Sequence, residues 1–422
     1  MKMEIFSAIP FYYGAAKEAP NTVRVWFTLK DTVSGKILKN AVKESMKRYP
    51  YLGVKVVSDG DCLSLEENFR ELAVTEGIEP VCLGSEEANG HLLALTYSGN
   101  RISFDFFHGL ADGGGIYPFL HTVLYYYCKE RYDKNLDSAG VRLAGEPIPA
   151  EEIEDPYPEE VPDTIVPIGK AGRKTALNLL KAGKCSPGTS VLHKIRIPES
   201  AYMAYSKSKD GSPAAITALL MARAVDAVHP REDKPIICGL AMNIRSMLGK
   251  PMAHHSAVSQ LFLEYKEEMK HMDLLTQATC FRGMVMVQGQ YENVMDSVRN
   301  NLKFFQRVKA QPDIESKRQI TQQLVSAFLD VSTFKVSYVG KSNMGAVEPY
   351  LKDIYVDIDL NGSGIMIEVN AVNGWFNLSF QQEWEEDVYL QAFLEQLEKE
   401  GIQFEYEGSE QVRLPSIAFN GK

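Results

Sequence analysis

Hydrophobic and polar positions in the first third of the chain follow the periods of both strands and helices. Residues 23–29 are rich in β-branched and aromatic side chains, which predicts a strand. From Ile37 to Met46 the apolar positions share one helical face, with Ser34 as N-cap and Pro50 as a stop, which predicts a helix. The chain therefore begins with mixed strands and helices.

A hairpin is predicted from residues 91–98 and 101–107, which flank the dipeptide Gly99-Asn100. Apolar and polar residues alternate in the second arm from position 101 to position 106. Because successive side chains of a strand point to opposite faces, this alternation predicts one buried face and one face that is not buried.

The C-terminal half repeats the mixture of periods. Strands are predicted at 235–243, 257–265, 333–339, 352–359, 365–371 and 375–380, and helices at 213–228, 272–309, 315–330 and 385–399. Asn373-Gly374 is a strong signal for a type I′ turn between the last two strands.

Proline and acidic residues concentrate between positions 146 and 167, which marks a connector. The predicted division is an N-terminal subdomain at 1–150, an acidic Pro-rich connector at 151–190 and a C-terminal subdomain at 191–422. The expected fold class is α/β, in α+β layers.

Composition excludes few classes of function. The 422 residues contain 45 Lys and Arg against 55 Asp and Glu, a net charge of −10, which gives no reason to expect a nucleic-acid partner. We expect neither export nor a membrane span, because the first residues have no apolar core and no apolar run reaches the length of a spanning helix. The six cysteines are scattered without a CxxC pair, so we expect free thiols and a cytoplasmic location.

The stretch from Phe104 to Gly115 is the most informative for chemistry. A strand is predicted to end at His108, a glycine-rich turn follows, and a helix begins near Gly115. A neutral imidazole suits proton abstraction at physiological pH. Asp112, four residues later, could orient that ring or stabilise the turn through a cation elsewhere in the chain.

The residues alone leave other interpretations of this stretch open. His108 could be an ordinary residue at a strand end with Asp112 as a helix cap. The two could be metal ligands, although no third ligand lies at a metal-site spacing. Gly113–Gly115 could cradle a phosphate at a helix N-terminus, although the P-loop Lys-Ser/Thr is missing.

The segment from Phe107 to Gly113 resembles the HxxxDG signature of the chloramphenicol-acetyltransferase-like superfamily, which includes peptide-synthetase condensation domains and alcohol O-acetyltransferases. Residues 48–52, 240–249 and 337–341 resemble further segments of that superfamily, in the expected order. The resemblance spans about residues 20–385. It implies two chloramphenicol-acetyltransferase-like subdomains with an active-site tunnel at their interface.

The resemblance also implies roles for particular residues. His108 would be the general base, and Asp112 would form a salt bridge with Arg245. Gly113 would provide backbone freedom in the turn, and Asn243 would be structural at the site. Ser337, Tyr338 and Ser342 are the candidates for oxyanion donors or for the tunnel wall.

The activity that the resemblance implies is direct acyl transfer, with acetyl favoured, from a CoA thioester to an alcohol, without an acyl-enzyme and without a metal. An acyl carrier protein is the main variant of the donor. Phe107 stands where condensation domains have their first His, so stand-alone alcohol O-acetyltransferases are the nearest members. The rivals are a condensation-type domain acting in trans on carrier-bound substrates, and a non-catalytic scaffold.

Overall fold

The computed structural model of the protein describes residues 5–168, 174–230, 233–327, 329–341 and 344–419. Within these ranges the strands are β1 Thr22–Leu29, β2 Val54–Asp59, β3 Cys62–Glu67, β4 Val74–Glu76, β5 Leu93–Ser98, β6 Arg101–Phe107, β7 Val191–Pro198, β8 Ile236–Asn243, β9 Val258–Tyr265, β10 Phe334–Lys341, β11 Leu351–Ile358, β12 Ile365–Val372, β13 Trp375–Gln382 and β14 Glu405–Gln411. The α-helices are α1 Ile9–Gly14, α2 Gly35–Met46, α3 Gly113–Arg131, α4 Ala150–Ile153, α5 Glu199–Ser208, α6 Pro213–Val228, α7 Leu274–Gln288, α8 Tyr291–Lys309, α9 Ile314–Ser326 and α10 Val388–Lys399.

Local signals account for most of these elements. The Ser34 side chain accepts a hydrogen bond from the amide of Ile37 at the start of α2, so the predicted N-cap is confirmed. Asn373 and Gly374 have φ of 51° and 79° between β12 and β13, as a type I′ turn requires. The polar strand β14 has no apolar period, so its pairing with β7 could not be read from the pattern.

Twelve of the described strands form two large sheets, and β2 and β3 pair separately with each other. The smaller sheet has five strands in the order β11-β1-β6-β5-β4, and the larger has seven in the order β14-β7-β13-β12-β10-β8-β9. Strand β11 belongs to the C-terminal half of the sequence but pairs antiparallel with β1 in the five-stranded sheet. The two sheets therefore do not divide at a single position along the chain.

Each sheet has its own hydrophobic core, and helix α8 also crosses between the halves. The core beside the five-stranded sheet includes Phe104, Phe106 and Leu120, and α8 contributes Val298 and Leu302 to it. The second core lies between the seven-stranded sheet and helices such as α6 and α10. The boundaries at 150 and 190 stay a prediction.

The prediction that one face of β6 would not be buried is wrong. Ser103 is 3% exposed and Asp105 is fully buried. The reason is that β14 of the seven-stranded sheet lies against the polar face of β6 and covers it as well. Arg24 on β1 pairs with Asp105 at 3.1 Å, and Arg101 makes two hydrogen bonds of 2.9 Å to Glu410 on β14. Burial raises the pKa of Asp105 to about 7, against the opposing charge of Arg24.

The first residues of the predicted connector pack against the N-terminal half. Glu152 in α4 is fully buried, and its carboxylate accepts hydrogen bonds from Arg48 at 3.0 and 2.9 Å. Arg142 and Tyr51 also donate to it, at 2.9 and 2.5 Å. A buried carboxylate is stable only when it is paired in this way. The acidic residue therefore anchors this part of the connector.

No single helix in the described ranges is long and apolar enough to cross a membrane. The pair α5 and α6 meets the length and composition criteria only together, and the two helices meet at an angle of 77°.

Candidate active site

His108 follows the last residue of β6 and is held by the backbone of the residue just before β1. Its amide donates a hydrogen bond of 2.8 Å to the carbonyl of Asn21. The ring of Phe11 in α1 stacks on the imidazole, with centroids 4.6 Å apart and planes 7° apart. The imidazole is therefore supported from one side by an aromatic ring rather than by a carboxylate.

Burial lowers the pKa of His108 below its usual 6.5, while the negative charges of Asp112 and Asp359 act in the opposite direction. The Nδ1 atom is buried and has no hydrogen-bond partner in the described part of the chain. The ring is thus neutral at physiological pH, and because Nδ1 is buried, Nε2 is the nitrogen left to accept a proton. A neutral imidazole can accept a proton.

Asp112 does not hydrogen-bond to the His108 ring. It is the N-cap of α3, where its Oδ1 accepts from the amide of Gly115 at 2.9 Å. The same oxygen accepts from Arg245 Nη2, and Oδ2 accepts from the amide of Ala257 at 3.0 Å. Asp112 therefore stabilises the turn through a cation from the other half, one of the two roles that the sequence left open.

Arg245 is surrounded by acceptors from its own half. Its Nε donates to the carbonyl of Ala253 at 2.7 Å and its Nη2 to the carbonyl of His255 at 3.0 Å. Asn243 Oδ1 accepts from the Arg245 amide at 3.0 Å and from Nη1 at 3.3 Å. Asn243 thus helps to orient Arg245, and its structural role at the site stays a prediction.

The turn needs glycines because the C-terminal half of the chain approaches it closely and leaves no room for a Cβ. A Cβ on Gly115 would lie 1.8 Å from the carbonyl oxygen of His254, and one on Gly113 would lie 2.9 Å from a methyl of Val339 on β10. Gly113 is not among the residues with positive φ, so the predicted need for backbone freedom at this position is wrong. Its small size is what the packing requires.

The residues predicted as oxyanion donors or tunnel wall on β10 lie in different environments. Ser337 and Tyr338 are consecutive on β10 and so point to opposite faces of the sheet. Tyr338 packs against Phe376, with ring centroids 5.9 Å apart, on the side of the second core, so the structure does not bring it to His108. Ser342 lies outside the described residues.

Ser337 lies on the face of the seven-stranded sheet that is turned toward the five-stranded sheet. It is in register with Glu368 on β12, and Glu368 is in register with Ser379 on β13. The hydroxyl oxygen of Ser379 accepts a hydrogen bond of 2.8 Å from the amide of Val356 on β11. This face, which we call the interface face, therefore carries the polar groups that meet the other half.

Several residues around His108 were not predicted from the sequence. Asn21 has a positive φ of 53°. Its backbone amide donates a hydrogen bond of 2.9 Å to Asp359 Oδ2. Phe11 precedes the first strand in a short aromatic run, and only tertiary packing places it on the imidazole. The sequence offers only a weak local signal for the role of Asn21, namely that a polar residue precedes a strand.

A large cavity lies on the interface face near the edge of the seven-stranded sheet. Its volume is about 1080 Å³, and α8 forms the opposite wall. His108 is not part of the lining. The residues that line it are Pro167, Lys174, Ile237, Ser259, Gln260, Leu261, Phe262, Glu264, Gly283, Met284, Val287, Gln288, Asn293, Asp296, Ser297, Asn300, Lys303, Phe304, Arg307, Leu324 and Val331.

The same face carries the cavity and Ser337. Phe262 in the cavity wall is in register with Gly239 on β8, and Gly239 is in register with Lys335 on β10. Lys335 and Ser337 are two residues apart on one strand and so point the same way. Among the described residues, no group of three or more His, Cys, Asp or Glu side chains is placed to hold a metal ion.

Comparison with known proteins shows the fold. No protein-family model and no curated protein sequence matches the chain. TRI101 of F. graminearum, solved with coenzyme A and deoxynivalenol, is 11% identical and superposes with a TM-score of 0.63 over 97% of this chain and 100% of that chain. Polyketide synthase associated protein 5 from Mycobacterium tuberculosis is 13% identical, with a TM-score of 0.59 over 93% of this chain and 96% of that chain.

A condensation domain that mediates chain release from the enacyloxin polyketide synthase is also similar. It is 10% identical, with a TM-score of 0.55 over 96% of this chain and 83% of that chain. These likenesses confirm the fold that the sequence resemblance predicted, which the chain shares with TRI101 and with this condensation domain.

Proposed function

We propose that this protein is an acyltransferase that moves an acyl group, with acetyl favoured, from a CoA thioester to a hydroxyl acceptor, with His108 as general base. The observation that carries this proposal is the neutral protonation state of His108 and its position in the fold. A half-buried, neutral imidazole lies at the end of a central strand, and its turn is joined to the other half through Asp112 and Arg245. Oxygen acceptors need such a base because a hydroxyl is a weak nucleophile until its proton is removed.

In the proposed reaction the acceptor oxygen attacks the thioester carbonyl carbon while its proton passes to Nε2 of His108. The new C–O bond gives a tetrahedral oxyanion, for which the Ser337 hydroxyl is the candidate donor. The C–S bond then breaks, and the departing thiolate takes the proton from the imidazolium. The products are the ester and the free thiol, and His108 is again neutral.

The cavity on the interface face is the proposed site for the CoA portion of the donor. Lys303 and Arg307 are exposed, one turn apart on α8, and both line it. In a chain of net charge −10, a phosphate-bearing donor needs such local cations. Apolar walls from Phe262, Phe304 and Met284 suit the rest of a large cofactor.

The cellular setting that we propose is the cytoplasm, which the six free cysteines support. The same cysteines affect the choice of assay, since they would react with a thiol reagent.

The test is CoA release from acetyl-CoA, separated by chromatography, with a panel of alcohols and with wild type, His108→Ala and His271→Ala. His271 is exposed and serves as the control for loss of an imidazole. We expect His108→Ala to lose about 10²–10⁴-fold in rate with an unchanged melting temperature, and His271→Ala to match wild type. Equal release by all three proteins would overturn the proposal and favour a scaffold.

A condensation-type activity in trans is the second candidate, because condensation domains are among the structures with this fold. Its signature would be His108-dependent transfer from an acyl group on a carrier protein, without transfer from acetyl-CoA. The same assay separates the two when both donors are included.

A further inference from the structure

Ser337 and Glu368 form a hydrogen-bonded pair on the interface face. The Ser337 Oγ and Glu368 Oε1 atoms are 3.0 Å apart, and the residues are register partners on the parallel strands β10 and β12. Glu368 is 8% exposed. No described residue forms an ion pair with it, so the serine hydroxyl is the group that this carboxyl engages. A buried carboxyl without a cation is unusual, because burial strongly disfavours its charged form.

Ser337 lies in the row of β10 side chains that faces the His108 turn. On one side of it along the strand, Val339 contacts the position of Gly113. On the other side, Lys335 interacts electrostatically with Asp359, the carboxylate that also acts on His108. Ser337 is thus bracketed by two residues that are tied to the surroundings of His108.

The elements around Glu368 bring few charges to it. Strand β13 contributes the uncharged residues Asn377, Ser379 and Gln381. The titratable groups that neighbouring elements bring near this face are Lys335 on β10 and Tyr117 on α3. Strand β11 meets the face through the backbone amide of Val356, while its Asp357 lies beside Arg24. The Tyr117 hydroxyl donates to Asn370 at 2.5 Å. Burial outweighs the hydrogen bond from Ser337 and raises the pKa of Glu368 to about 7.

We propose that Glu368 is a positioning residue that directs the Ser337 hydroxyl at the substrate oxygen. In its protonated form Glu368 donates its hydrogen to Ser337 Oγ, and the Ser337 hydrogen is then free to bond the oxyanion. In its ionised form Glu368 accepts the Ser337 hydrogen, and the substrate oxygen faces a lone pair instead. The proposal rests on the proposed function, in which Ser337 is the oxyanion donor.

A pH–rate profile distinguishes the two states. We expect the wild-type kcat to fall as pH rises through about 7, because Glu368 ionises there. Glu368→Gln replaces the acid with an amide that donates to Ser337 Oγ at every pH. This variant should keep most of the low-pH activity and lose the alkaline fall. Ser337→Ala should lower kcat by about 10²–10³-fold and also lose the fall, since no hydroxyl remains to be directed.

Asp357→Asn is the matched control. Asp357 is also a buried carboxyl, on β11 beside Arg24 and away from Ser337, and burial raises its pKa to about 7. Its replacement should leave the alkaline fall in place. A fall that disappears in Asp357→Asn but persists in Glu368→Gln would overturn the proposal.

The variants distinguish failure of the role proposed for Glu368 from misfolding of Glu368→Gln and from failure of the proposed function. If Glu368→Gln does not fold, the Ser337→Ala profile still decides, because an alkaline fall that persists without the hydroxyl contradicts the proposal. If His108→Ala retains transfer activity, the proposed function fails. If His108→Ala is inactive but Glu368→Gln keeps the wild-type profile, only the role of Glu368 fails.

Discussion

Asp112 and Arg245 are 133 residues apart in sequence, and their side chains form a buried ion pair between the N-terminus of α3 and the end of β8. Each partner has further bonds, since Asp112 caps the helix and Arg245 donates to backbone carbonyls of its own half. The pair therefore joins the turn after His108 to the seven-stranded sheet without contacting the imidazole.

Breaking this pair should destabilise the protein more than an exposed pair would. We expect Asp112→Asn and Arg245→Met each to lower the free energy of unfolding by about 3–5 kcal/mol, because each leaves an uncompensated buried charge. The measurement is urea denaturation. Lys47→Met, which removes an exposed pair with Glu44, is the control and should cost less than about 1 kcal/mol.

The double variant Asp112→Asn/Arg245→Met tests whether the two charges act as a pair. Its destabilisation should be smaller than the sum of the single effects, since neither charge is left alone. Strictly additive losses would contradict a direct interaction.

The acidic side of the pH–rate profile should report His108. A general base works in its neutral form, and burial lowers the pKa of His108 below 6.5, so the acidic limb of the kcat/KM profile should rise with pH with a midpoint below 6.5, ahead of the alkaline fall expected from Glu368. Phe11→Ala removes the stacked ring and admits water, which should move that midpoint up toward 6.5. Phe69→Ala is the control, because Phe69 is 91% exposed. An unchanged midpoint in Phe11→Ala would show that the stacking does not shield the base.

The cations of the cavity should affect donor binding rather than chemistry. We expect the double variant Lys303→Ala/Arg307→Ala to raise the KM for acetyl-CoA about tenfold at low salt, with kcat nearly unchanged, and the effect should shrink at high salt because salt screens exposed charges. The control, Lys36→Ala/Lys39→Ala, removes two exposed lysines of α2.

A donor without phosphates makes this experiment specific. The thioester of N-acetylcysteamine retains the reacting group but has no phosphate, so its KM should be the same for wild type and for the cavity variant. Equal increases in KM for both donors would place the phosphates elsewhere.

The order of strands and helices and the position of the His108 turn could be predicted because the signals for them are local. Apolar periods, the Ser34 cap and the Asn373-Gly374 turn depend on neighbours within a few residues, and the structure confirms them. The pairing of Asp112 with Arg245 was reached only through the resemblance to a known family. No local pattern relates residues so far apart.

The sequence by itself determined many of the elements, including those that flank the His108 turn, the mixed α/β class and the residue types of the HxxxDG turn. Tertiary structure alone decided that both faces of β6 are buried, that Phe11 stacks on His108, and that Ser337 rather than Tyr338 lies on the interface face. The physical reason is that a strand's period tells which residues share a face but not what covers that face. What packs over a face depends on sheet order and register, which are set by contacts between distant segments. The same contacts place Glu368 beside Ser337.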